Sequence, residues 1–152
     1  MFRNDYILRL AEQIGTAMAA LIVKADHGKG PEALDECREL CRQHVGLDLD
    51  FIVRLAPPNL LQLLQQGGNT WSGRAAGLVQ ILLGHARLAE ATLDRQTALP
   101  CYVHAYFLLR ELTPFVEASE FAAHEERIQV IATKLEQFGL SNLEAKLPKA
   151  SA

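Results

Sequence analysis

The sequence is short of several things at once: three cysteines, one tryptophan, two methionines and only 7% aromatics in 152 residues. Three cysteines are an odd number in a chain large enough to bury its own core, which argues against a disulfide framework and fits a reducing compartment. A charge excess is also missing. With a formal net charge of -3, the chain has no general attraction for phosphate backbones or anionic lipid, so neither nucleic acid nor a membrane is an expected partner. The apolar run from Ile14 to Val23 is only ten residues, far short of the roughly 20 that a bilayer requires. The opening Met1-Phe2-Arg3-Asn4-Asp5 does not read as a secretion signal. A cytoplasmic protein is the expectation.

No alternating apolar pattern is long enough to build a sheet, whereas helical spacing recurs almost throughout. The 49% hydrophobic content suffices for one core, and residues 1–147 are read as a single helical domain with 148–152 as a frayed tail. Ile7, Ala11, Ile14, Met18, Leu21 and Ala25 mark one face of a first helix running from about Asn4 to Asp26, with Asn4 as its cap. After Gly28 and Gly30, Pro31 opens a second helix with an inner stripe of Ala33, Leu34, Cys37, Leu40, Cys41 and Val45, ending at Gly46. The two should form an antiparallel hairpin.

Asp48 is expected to cap a short turn through Phe51, Ile52 and Leu55, and Pro57-Pro58 to start another piece ending at Gln66. Gly67-Gly68-Asn69 is a loop. The stretch from Thr70 or Ser72 through Leu78, Ile81, Leu82, Leu88 and Ala89 is apolar around most of its circumference and belongs at the centre. A further helix is predicted from Thr97 or Ala98 to Leu112. The last long helix carries Phe121, His124, Ile128, Ile131, Leu135 and Phe138 inward and stops at Gly139, with one more short helix over Ser141–Glu144. The fold class is therefore all-α, antiparallel hairpins packed as a bundle.

Asp5-Tyr6-Ile7-Leu8-Arg9-Leu10, then Glu12-Gln13, and later Gly46-Leu47-Asp48-Leu49-Asp50 resemble the start of an uncharacterised bacterial family of small all-helical proteins. The resemblance implies hairpins similar to tetratricopeptide repeats and transfers no activity. Gly28 and Ala33 stand where such a repeat carries its turn glycine and buried alanine, and Leu83-Gly84 resembles its leucine-glycine pair. The first helix lacks the aromatic of that pattern, so any repetition is degenerate.

Residues able to carry chemistry are sparse. Cys37, Cys41 and His44 share a helix face, and Cys101 with His104 forms a second pair, so a metal-binding or thiol-based catalyst or sensor is the alternative reading. The plainer account is that the cysteines fill the hairpin seam, where free cysteine packs as a small hydrophobe. His124-Glu125-Glu126 lacks the second histidine of a metalloprotease helix, since Ile128 stands there. No nucleophile and base are paired in sequence, so no catalytic residue and no cofactor are assigned. The leading expectation is a non-catalytic module that binds a protein or peptide or forms a homodimer, with Tyr6, Arg9, Gln13, Trp71 and Arg74 as candidate anchors.

Overall fold

The computed structural model describes residues 2–139, without the side chains of residues 2–8, 10 and 11. The expected Ser141–Glu144 helix and the tail therefore lie outside the described residues. So do the Tyr6 side chain, the Asp5–Arg9 pair, the Asn4 cap, and Ile7 and Ala11 of the inner stripe.

Seven α-helices follow one another: α1 (Phe2–Asp26), α2 (Gly30–Val45), α3 (Leu49–Arg54), α4 (Pro57–Gln65), α5 (Trp71–Ala91), α6 (Arg95–Leu112) and α7 (Phe121–Gln137). Two single 3-10 turns, Thr113–Phe115 and Ala118–Glu120, join α6 to α7. There is no strand among the described residues. None of their helices is long and apolar enough to cross a membrane.

Helix α5 is the axis of the molecule, packed against α1, α2 and α6, while α7 rests on α6. Its composition explains why. Gly73, Ala75, Gly77, Leu78, Ile81, Leu82, Gly84, Ala86, Leu88 and Ala89 are all buried, so α5 presents apolar surface in every direction. Its glycines set the spacing to α1. A Cβ on Gly77 would stand 2.9 Å from Ile14 Cδ1, and one on Gly84 would fall inside the Met18 side chain. Because Ile14 meets Gly77 and Met18 meets Gly84, the two helices run in the same direction.

The boundaries follow ordinary capping chemistry, with some departures from the sequence reading. Gly46 adopts φ 83° and its N–H donates to the carbonyls of Cys41 and Arg42, closing α2 as a left-handed residue can. Helix α1 begins at Phe2, ahead of the expected Asn4. Asp48 makes no capping hydrogen bond, since its carboxylate accepts from Arg42 Nε at 2.7 Å. Helix α6 starts at Arg95, two residues early, because Asp94 caps it by accepting from the Thr97 backbone N–H at 3.1 Å. The α5–α6 turn also places Leu93 at φ 60°, a left-handed conformation unusual for leucine, with its side chain 89% exposed. Phe121, expected to face inward, opens α7 exposed, and His124, Ile131 and Leu135 make the buried face.

Candidate functional site

The sequence-predicted residues fall into three places. On α1, Arg9 and Gln13 are exposed and point away from the core face of Ile14, Met18 and Leu21. At the start of α5, Trp71 is half-buried and meets Phe115 edge to face, ring centroids 5.3 Å apart. Phe115 is 57% exposed, so the pair forms an aromatic cap at one end of the bundle.

Arg74 is committed to the fold. Its guanidinium donates to the Val45 carbonyl at 2.7 Å, satisfying a free group at the end of α2, and it lies across Gly67, where a Cβ would overlap it. The loop glycine thus makes room for a staple between α2 and α5.

The three cysteines are fully buried, two on α2 and one on α6. The Cys37 thiol donates to the Ile81 carbonyl at 3.8 Å and lies 3.9 Å from Met18 Sδ. Burial pushes each of the three thiols up to about 12, so at neutral pH they are protonated and poor nucleophiles. His104 is held from both sides, Nδ1 at 2.7 Å from the Pro100 carbonyl and Nε2 at 2.7 Å from the Leu55 carbonyl. Both carbonyls only accept, so the nitrogen that carries the proton makes the hydrogen bond, and when it is Nε2 the residue ties the α3–α4 corner to α6. His44 sits half-exposed near the end of α2. Among the described residues, no group of three or more histidine, cysteine, aspartate or glutamate side chains is disposed to hold a metal ion.

The remaining buried histidines differ from each other. His124 Nε2 is 3.0 Å from Thr113 Oγ1, which joins the start of α7 to the end of α6. His85 is 2% exposed, and its Nδ1 has no hydrogen-bond partner. Burial lowers its pKa to about 4, assisted by Arg38 and opposed by Asp50 and Asp94, so the ring is neutral at pH 7.

One apolar concavity lies outside the residues that the sequence singles out. Ala17, Ala20 and Leu21 of α1 and Leu40 of α2 floor a groove of about 390 Å³, rimmed by Glu36, Glu39 and Gln43. Lys24 bridges the two helices beside it, its ammonium 2.5 Å from Glu36 and 3.9 Å from Glu32. The bond to Glu36 raises the Lys24 pKa above its ordinary value. Along α2, Arg38 pairs with Asp35 and Asp50, and Arg42 with Glu39 and Asp48. The available signal was the width of the uncharged stretch: residues 13–23 carry no charge, although only the Ile14, Met18 and Leu21 side of α1 faces the core.

No family model, curated protein or solved structure matches this chain.

Proposed function

We propose that this chain is a non-catalytic interaction module of the bacterial cytoplasm, a member of the small helical family that its opening residues resemble, which receives a helix of a protein partner or of a second copy along α1. The observation that carries the reading is the groove between α1 and α2, where Ala17, Ala20 and Leu40 come to the surface over the buried Leu21, with Glu36, Glu39 and Gln43 at the rim. From Ala20 the uncharged surface extends around the solvent side of α1 through Thr16, Ala19 and Val23, and Val23 is 55% exposed. Contiguous apolar surface of this kind is a common mark of association. The candidate reactive groups are by contrast engaged in the fold: thiols buried and protonated, His104 between two carbonyls, Arg74 on a helix end.

A photo-crosslinking residue placed at Ala20, in cells making the protein at its native level, tests the reading. A covalent adduct from position 20, with none from Thr133 on the exposed side of α7, is the expected result. No adduct from position 20 refutes it.

A further inference from the structure

Residues 9–50 hold eight acids and five cations, a net charge of -3 that equals the formal charge of the whole chain. The excess lies along α2. Lys24 serves both Glu32 and Glu36, Arg38 both Asp35 and Asp50, and Arg42 both Glu39 and Asp48. Each cation is thus shared by two carboxylates, and each cluster keeps one negative charge uncompensated. Glu32, Glu36 and Glu39 recur at i, i+4 and i+7, so they edge one side of α2, and the last two rim the groove beside Leu40. The opposite wall differs. Ala17 and Ala20 line it, and α1 carries no charge from Gln13 to Val23.

We propose that the groove receives an amphipathic helix of a partner protein, its apolar stripe bordered on one side by lysine or arginine, with that basic border lying along α2. The furrow between two helices suits a third helix, and among the described residues there is no strand edge with which an extended segment could pair its backbone. Ala17 and Ala20 are small enough to let the axis of the incoming helix come close. From Glu32 to Gln43 helix α2 rises about 16 Å at 1.5 Å per residue, so the occupant lays down about three turns. Apolar residues at i, i+3 or i+4, and i+7 would fill the floor, and cations at the same spacing, one step round the helix, would meet Glu32, Glu36 and Glu39. The charge also selects against self-pairing here: the same hairpin from a second copy would set surplus carboxylates against surplus carboxylates.

This inference rests on the interaction reading above, and one experiment separates the two. With the photo-crosslinking residue at position 20 of the full chain, the captured segment is mapped by mass spectrometry, in the parent and in a variant carrying Glu36→Lys and Glu39→Lys. The expected adduct is a segment of another protein with apolar residues at helical spacing and lysine or arginine along one border. Its yield should fall about tenfold in the variant, and should hold when Glu125→Lys and Glu126→Lys reverse two exposed acids of α7 instead. The captured segment, made as a labelled peptide, should bind the purified parent more weakly as salt rises. A neutral or acidic segment, a yield indifferent to the α2 reversals, or binding indifferent to salt overturns the basic partner and leaves the interaction reading intact. An adduct to a second copy of this chain, or to its own residues 140–152, does the same. No adduct from position 20 refutes both.

Discussion

The Met18 side chain occupies the space in which a side chain on Gly84 would begin. A Cβ there would also stand 3.2 Å from Met18 Cγ and 3.3 Å from its Sδ, so rotation of the terminal methyl alone cannot relieve the clash. Met18 is buried and its sulfur already abuts Cys37, which leaves little room to retreat. Helix propensity alone predicts that Gly→Ala stabilises by about 0.5–1 kcal/mol. Overpacking costs about 1–3 kcal/mol and should win at Gly84. At Gly15, where nothing lies within 4 Å, propensity should win. Urea unfolding of the two variants is therefore expected to give opposite signs, with Gly84→Ala less stable and Gly15→Ala more stable than the parent. Equal signs would show that α1 and α5 are not packed through the glycine.

His85 should make stability depend on acidity. An unfolded histidine titrates near 6.5, whereas burial holds His85 at about 4 in the fold. Between those values the unfolded chain binds the extra proton, so stability falls as pH drops through that window and levels off below it. The facing charges do not cancel this: Arg38 reinforces it, and Asp50 and Asp94 oppose it only in part. His85→Leu removes both the titration and the unpartnered Nδ1. Its stability at about pH 7 should equal or exceed that of the parent, and the parent's additional loss on going to about pH 4.5 should be on the order of 2–3 kcal/mol. Parallel stability curves for parent and variant would place His85 in solvent contact.

The helical layout was legible because apolar side chains recur with the helical period wherever one face is buried, as at Ile14, Met18 and Leu21 or Ala33, Cys37 and Cys41. The start of α6 was misplaced although its signal was present, an aspartate three residues before Thr97 whose carboxylate caps the helix. The groove was illegible for a different reason. Ala17 and Ala20 are as apolar as core alanines such as Ala33, and hydropathy cannot separate the two until the partner helix is in place. Arg74 was similarly opaque, because its acceptor on Val45 is 29 positions away in sequence. Long-range pairings of that kind are set by packing.

The thiols offer a direct check on the core. All three cysteines are buried and protonated, with Cys37, Cys41 and Cys101 each raised to about 12 by desolvation. An aromatic disulfide reagent at about pH 8 should leave the native protein unmodified and label all three after denaturation, because the thiolate is the reacting species. Labelling of the native state should proceed only through the unfolded population and accelerate as urea raises it. Rapid modification of even one cysteine in the folded chain would mean that α2 and α6 do not close over it.

Glu90, near the end of α5, holds α6 and α7 together through its two oxygens. Oε2 accepts from the Tyr102 hydroxyl at 2.9 Å, and Oε1 pairs with Lys134 at 3.1 Å. Burial, together with the bond to Glu90, raises the Tyr102 pKa and keeps the phenol a donor. The same corner is closed by Arg95, whose guanidinium lies 4.6 Å from the Phe138 ring centre and donates to the Gln137 carbonyl. Glu90→Ala should therefore cost about 1–3 kcal/mol, chiefly from leaving the buried Tyr102 hydroxyl without an acceptor. Glu90→Gln keeps an acceptor and loses only the ion pair, a loss of about 0–1 kcal/mol. Because the residue is the tie between α5 and α7, amides of Ile128–Gln137 should exchange faster in Glu90→Ala while those in the α1–α2–α5 contact keep their protection. Acceleration spread evenly over α1, α2 and α5 would show that Glu90 supports the whole fold rather than anchoring its last helix.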